Sequence, residues 1–456
     1  MSRGLEALEH GAAVATATNR LTPILIIIAS LLVFSVFTPQ GSSMLYISMA
    51  LLSMVVILRG YTAIATAILL NKCRTDVRVS GGSSDKALEY VVEISNRSFI
   101  PIALVEFTLN HPPYLRVVEG CKAGIFFIPP RSSTVYRVVF DPRTGRHSIG
   151  PLEVVVRDPL GLFRSTKLQL VKPVEVDVLP KVVEAVARKV WVLTRSTGVV
   201  RTREPGIGVE LFGVREYRPG DELRRIVWRT LASAGRLSVK EMERETYQSI
   251  VFVIEASPDM FYGPYRATPF EHAATIIASI TSYLARRGDL VSTVIVSPLA
   301  TLTSGKPSRG KQAHHRILKT ISMVPFATER EFDRKLLLQR ALNKLVEILP
   351  RERNLVFLFT TASGDEIYVQ SLAEFAIKLR SLGNEVYVAV PLTIAYEVRG
   401  LAPWAQAMYR VKMFDRLRYE IEFARRLARN QVKVIAMGPQ YMPQTIVNLI
   451  EMKRSR

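Results

Sequence analysis

Two apolar runs near the start constrain this chain more than any other feature in it. Leu21–Phe37 is almost wholly apolar, and residues 44–58 form a second run after a short polar segment. Neither run carries the polar stripe of an amphipathic helix lying on a soluble core. Each is slightly shorter than the roughly 20 residues needed to cross a bilayer, but Thr38, Pro39, Ser42 and Ser43 are tolerated at the interface. We therefore expect residues 1–72 to be a membrane anchor with two transmembrane helices. Residues 61–70 would either extend the second helix past the membrane or lie along it. A cleaved signal peptide is disfavoured, because Met1 opens no convincing basic segment and a second apolar run follows at once.

Flanking charge sets the expected orientation. Arg20 precedes the first run, Arg59, Lys72, Arg74 and Arg78 follow the second, and the connection between them is uncharged. The positive-inside rule then places both termini, and all of the chain after residue 72, in the cytoplasm. The expected location is the cell membrane, with two spans. Asn96-Arg97-Ser98 matches a glycosylation sequon, but this topology makes it a chance match.

A chain of 456 residues exceeds one typical domain. Its formal charge of +21 favours nucleic acid or anionic lipid headgroups as a counter-surface without choosing between them. Two cysteines, Cys73 and Cys121, are too few for a disulfide framework and suit a reducing compartment.

Residues 73–180 read as an all-β domain. Segments 88–94, 102–109, 133–140, 152–156 and 168–178 are β-branched and split by turn-forming sequences, which predicts a small sandwich or barrel of about seven strands. Asp158, Pro159, Gly161 and Phe163 mark a fixed turn. Residues 181–246 form a basic connector around Trp191 followed by a charged stretch. Residues 247–456 then alternate strand and helix, with strands expected at 249–257, 290–296, 354–360, 385–391 and 432–437, a basic loop at 306–319, and helices between. Such alternation predicts a doubly wound α/β sheet.

The charged stretch runs from Gly206 to Glu245. Arg215, Glu216, Arg218, Asp221, Arg224, Arg225 and Arg229 are interleaved there with Tyr217, Pro219, Gly220 and Trp228. Asp221 is a good N-cap, which predicts a helix over residues 221–234 ended by Gly235. On that helix Asp221, Arg225 and Trp228 would share one face. Arg215, Glu216, Arg225 and Glu241 are expected to form a partly buried charge network, with Tyr217 and Trp228 packed over it.

This stretch closely resembles the signature of the DUF58 proteins, which are membrane-anchored and of unknown biochemical role. The matching residues are Glu210, Phe212, Gly213, Arg215, Glu216, Tyr217, Gly220, Asp221, Arg225, Ile226, Trp228, Ser233, Ala234, Gly235, Leu237, Val239 and Glu241. Phe212 stands one place late, after Leu211. The resemblance implies an immunoglobulin-like module at residues 73–180 and a von Willebrand factor A-like fold for residues 247–456. It also implies a partner class, the MoxR-type AAA+ ATPases, and hence an adaptor role.

Residues 254–260 resemble the opening metal loop of a von Willebrand factor A domain, Asp-x-Ser-x-Ser, in altered form. Glu255 replaces the first Asp, Ser257 is kept, and Asp259 stands where the second Ser belongs. Mg²⁺ wants compact oxygen ligands. The supporting acid expected after residues 355–359 is replaced by Thr360 and Thr361, and Asp365 lies four residues further on. A decayed, structural version of the site without tight Mg²⁺ binding is expected.

Enzyme readings fare poorly. There is no phosphate-binding P-loop, no His-Glu-x-x-His and no cysteine pair. Ser257 has no neighbouring His to activate it. Glu216 and Asp221 are flanked by arginines that hold them ionised. The favoured expectation is a non-enzymatic, membrane-anchored cytoplasmic interaction or assembly factor. A membrane-associated nucleic-acid or anionic-lipid binding protein is the alternative, and a hydrolase acting through Glu216 or Asp221 the least favoured.

Overall fold

A computed structural model of the chain describes residues 15–39, 41–183, 205–229, 232, 235–243, 249–326, 332–350, 353–392 and 403–454. The connector around Trp191 lies outside the described residues. Two compact units result, Met1–Val178 and Leu179–Arg456.

In the first unit the apolar runs form the helices Leu21–Phe37 and Gly41–Asn71. The second is long and apolar enough to cross a membrane, and the first is a shorter apolar helix of 17 residues. Residues 44–58 and 61–70 thus belong to one unbroken helix of 31 residues, about 46 Å long at 1.5 Å per residue. Arg59 does not end it, because a single exposed arginine leaves the backbone ladder intact. Ala65, Ile68 and Leu69 are buried in the core of the following β region.

That core is lined by two antiparallel sheets. One contains Thr16–Ala17, Phe163–Arg164, Leu152–Arg157, Ile102–Leu109 and Ala123–Ile128 in that order, with Leu168–Val171 also paired to Leu152–Arg157. The other runs Cys73–Ser80, Leu88–Asn96, Ser133–Asp141, Arg116–Glu119. Leu88, Tyr90, Val92 and Ile94 alternate inward from one sheet to meet Leu152, Val154 and Val156 from the other. The expected single strand at 168–178 is broken in two at Pro173, which has no N–H to give a ladder. Cys73–Ser80 escaped the sequence reading because four of its eight residues are charged or hydroxylic on an exposed face.

The second unit holds a six-stranded sheet in the order Thr301–Thr303, Leu290–Val296, Ser249–Glu255, Asn354–Phe359, Glu385–Pro391, Lys433–Met437. All neighbours are parallel except Thr301–Thr303, which pairs antiparallel with Leu290–Val296. Val251, Val253, Val356 and Leu358 pack on one face with Leu337, Leu345, Val369 and Leu372 from the helices Arg334–Ile348 and Glu366–Ser381. Phe252, Phe357 and Tyr387 alternate to the other face and stack across three adjacent strands, with centroids 5.7 and 5.4 Å apart. The segment read as a basic loop at 306–319 is mostly helix, Gly310–Ser322, whose Ala313, Ile317 and Ile321 are buried. Its lysines and arginine mask an apolar stripe at helical spacing.

His147 is buried in the first unit and His272 is half-buried in the second. Burial pushes the His147 and His272 imidazoles down to about 4. Both are therefore neutral in the folded chain, whereas in the unfolded chain they take up protons below about 6.5. Their contribution to stability is complete above that pH and falls away as pH drops toward 4. At pH 5 the loss is about 2 kcal/mol for each. Hydrogen-exchange protection factors of the Gly145–Ile149 strand, corrected for the intrinsic rate at each pH, should fall over this window in the parent and much less in His147→Gln. A protection factor that stays constant between pH 6.5 and 4 would refute the assignment.

Candidate functional site

The strand order reverses beside Ser249–Glu255. From its carboxyl end the chain first builds Leu290–Val296 on one side and later Asn354–Phe359 on the other, which opens a crevice at the reversal point. All seven residues of Ser249–Glu255 are buried, including Glu255 at 1% exposure. A carboxylate so placed demands a cation and hydrogen-bond donors.

Arg334 supplies the cation. It opens the Arg334–Ile348 helix, directly after Asp333, whose side chain accepts the Lys335 N–H as the N-cap. The guanidinium grips Glu255 with two bonds, Nε to Oε1 at 2.7 Å and Nη2 to Oε2 at 2.9 Å. The Thr360 and Tyr368 hydroxyls donate to the same Oε2. Arg334 Nη2 also approaches Thr360 Oγ1 at 2.9 Å and the Thr361 carbonyl at 3.2 Å, and the guanidinium lies 3.9 Å from the Tyr368 ring centroid. Burial works against the Arg334 charge, but Glu255 opposite it more than offsets this and its pKa is raised. Burial likewise holds the Tyr368 phenol well above its ordinary range, with Arg334 pulling the other way. The result is an ion-paired, hydrogen-bonded cluster that occupies the crevice.

The altered metal loop looks different in this light. Both Glu255 oxygens are engaged by Arg334. Asp259, in the turn Pro258–Phe261, is exposed and sits 4.0 Å from the other guanidinium nitrogen. The Ser257 hydroxyl is buried without a hydrogen-bond partner among the described residues. Asp365 accepts the Ile367 N–H and caps the Glu366–Ser381 helix. Among the described residues no group of three or more His, Cys, Asp or Glu could hold a metal ion. These residues do not fit Mg²⁺, because a guanidinium stands where the ion would have to bind. Glu255, Ser257 and Asp259 therefore do not converge as a ligand set. The sequence reading missed Arg334 and Tyr368, 79 and 113 residues from Glu255. The signal available was the acid itself, since a Glu ending a wholly apolar strand requires a cation from elsewhere.

The signature stretch is a two-stranded ribbon. Pro205–Glu216 pairs antiparallel with Ser238–Glu243, setting Arg215 opposite Val239 and Gly213 opposite Glu241. The helix expected over 221–234 is not formed at its start. Asp221 and Glu222 are non-helical, Leu223–Arg225 is one 3₁₀ turn, and Ile226 bridges Val239. The Asp221 carboxylate is used elsewhere. It takes both ends of the Arg215 guanidinium at 2.6 and 2.8 Å and the Arg218 N–H at 2.9 Å, so it closes the preceding turn instead of capping a helix. That turn is Arg218-Pro219-Gly220-Asp221, with Pro second and Gly220 third at φ 106°, where a side chain would be strained. Arg215 Nε reaches Glu241 at 2.8 Å. The Arg215 hydrogen bonds hold the Asp221 carboxyl below its usual range.

The expected network is therefore re-drawn around Arg215, Asp221 and Glu241. Arg225 is spent locally on Glu222 at 3.0 Å, and Glu216 is exposed, 3.9 Å from Arg236. Tyr217 is half-buried and bonds through its N–H to the Leu237 carbonyl. Trp228 is 62% exposed and does not pack over the charges. With no helix from Asp221, the face that would have carried Trp228 onto Arg225 does not exist. The side chains of Glu210, Leu211, Phe212, Ser233 and Ala234 lie outside the described residues.

Comparison with known proteins gives partial matches. Uncharacterized protein Rv1480 of Mycobacterium tuberculosis and Uncharacterized protein Mb1516 of Mycobacterium bovis are each 28% identical over 123 residues, 27% of this chain. The match spans 38% of the length of these relatives. Among solved structures, Northeast Structural Genomics Consortium target SoR45 aligns over 24% of this chain and 88% of its own. Its 15% identity and TM-score of 0.14 carry no argument about fold. Residues 213–390, which run from the signature ribbon through the crevice to the fifth strand of the sheet, match the family described as "Protein of unknown function DUF58".

Proposed function

We infer that this chain is a membrane-anchored interaction or assembly protein and not an enzyme. The helices Leu21–Phe37 and Gly41–Asn71 are its two spans, and its immunoglobulin-like and von Willebrand factor A-like domains are cytoplasmic. Its partner is a MoxR-type AAA+ ATPase, which uses it as an adaptor. The observation that carries the reading is the Arg334–Glu255 cluster. The crevice where a doubly wound sheet takes its ligand is occupied by the protein's own paired and hydrogen-bonded charges.

The docking surface is the signature ribbon. Leu223 and Trp228 are exposed there at 70% and 62%, beside the exposed arginines Arg218 and Arg224. Trp and Arg dominate the energetic centres of protein interfaces. Trp228→Ala should weaken capture of the ATPase from native membranes at least tenfold, about 1.4 kcal/mol, while leaving unfolding unchanged. Arg218→Ala should act in the same direction, and neither change removes a side-chain bond of the Arg215 cluster. Recovery of no AAA+ ATPase by the parent under ATP-trapping conditions would sink the adaptor role. Orientation is tested separately by labelling intact cells with an impermeant thiol reagent. A cysteine placed at Ser42 should react and one at Ser133 should not.

A further inference from the structure

The end of the β region nearest the helices presents apolar side chains that no other described residue covers. Strand register shows which loops share that end. Cys73 pairs with Asn96, Ser95 with Ser133, Ile102 with Ile128, and Leu104 with Arg157. Loops 97–101, 129–132 and 158–162 therefore lie together, at the end where Cys73 follows the Gly41–Asn71 helix. The helix runs along this end. The Lys72 carbonyl accepts the Arg97 N–H, and one stretch back the Tyr61 hydroxyl bonds the Pro101 carbonyl and the Ala103 N–H. Further back still, Leu162 and Phe163 are buried with Ile28 and Val55, packed by Leu21, Ile24 and Leu58. The 158–163 loop thus reaches the apolar helices beyond the level of Arg59.

Both apolar loops are held rigidly. Asn96 is buried, its Oδ1 accepting the Ser98 N–H and hydroxyl while its Nδ2 donates to the Ile100 carbonyl. This leaves Phe99 at 73% and Ile100 at 39% exposure, with the Arg131 guanidinium stacked 3.7 Å from the Phe99 ring centroid. The buried Asp158 takes the Leu160 and Phe163 N–H groups, which turns Phe163 onto the helices and Leu160 outward at 49% exposure. Arg20, Arg59, Lys72, Arg97 and Arg131 are exposed around the same end.

We propose that this end of the β region is a second membrane contact: Phe99, Ile100 and Leu160 enter the interfacial layer of the bilayer, and the surrounding basic side chains meet anionic headgroups. The proposal rests on the reading of the two helices as spans. Three observations support a lipid occupant. The apolar loops are continuous with the apolar helices through Leu162 and Phe163, the basic rim matches anionic headgroups, and an aromatic ring under a cation suits the boundary between chain and headgroup. The β region would then sit on the membrane in one fixed orientation instead of swinging on a tether.

Spin labels test this on the full chain, with Cys73→Ser and Cys121→Ser, in vesicles containing one-third anionic lipid. Single cysteines at Phe99, Leu160, Phe34 and Val118 compare the loops with the helix and with an exposed apolar residue at the far end of the β region. Collision with oxygen should outrun collision with a water-soluble nickel chelate at Phe34, at Phe99 and at Leu160, and the order should reverse at Val118. Aqueous signals at Phe99 and Leu160 with a lipid signal at Phe34 would overturn this inference and leave the spans standing. An aqueous signal at Phe34 would remove the spans and the inference together.

Discussion

Arg334→Met should destabilise the Leu179–Arg456 unit by about 3–5 kcal/mol, because it leaves Glu255 charged and buried without its cation. Glu255→Gln should cost a comparable amount by stranding the guanidinium. The double change Glu255→Leu with Arg334→Met removes both charges and should recover most of the loss, since a buried ion pair is worth little more than a well-packed apolar pair. Denaturant unfolding of the full chain in detergent, followed by a probe in the Ser249–Glu255 strand, would read this cycle. A loss below 1 kcal/mol for Arg334→Met would mean that the pair behaves as a surface contact and that the crevice is open to solvent. Millimolar Mg²⁺ should leave the parent's melting temperature unchanged, because a ligand stabilises only a fold that binds it. A magnesium-dependent rise abolished by Asp259→Ala would restore the metal reading.

The second large effect lies where the long helix meets the sandwich. Leu69 is 2% exposed in the core formed with Leu88, Tyr90 and Phe140. Leu69→Ala should cost about 2–5 kcal/mol, through lost burial and the cavity left behind. Tyr61→Phe, which deletes the hydroxyl bonded to Pro101 and Ala103, should cost about 1 kcal/mol. Exchange protection in Leu88–Asn96 should fall in step with both. If Leu69→Ala unfolds like the parent, the helix is a detachable tether and the β region folds without it.

The two changes also separate what was legible in the sequence from what was not. The apolar runs, the period-2 strands and the alternation after residue 247 were legible because burial pattern and turn chemistry are local. The expected strands at 102–109, 290–296 and 385–391 match their observed bounds, those at 249–257, 354–360 and 432–437 differ by a residue or two, and the short edge strand Thr301–Thr303 was not anticipated. Expectations that turned on which partner a side chain would choose went astray. Asp221 has good N-cap chemistry, yet its carboxylate is oriented toward Arg215 and the Arg218 N–H instead, and the two-ended guanidinium contact is the stronger.

Local pattern therefore determined the five parallel strands of the α/β sheet, about half of the strands of the β region, most of the helices and the two apolar segments. It also left Glu255 as an acid at the end of a wholly apolar strand. What cancels that charge was decided only by tertiary structure. Arg334, Thr360 and Tyr368 are scattered over the chain, and only the crossing of the strands beside Ser249–Glu255 brings them to one carboxylate. Charge neutralisation acts through space at a few ångströms, while sequence pattern speaks only for neighbours along the chain.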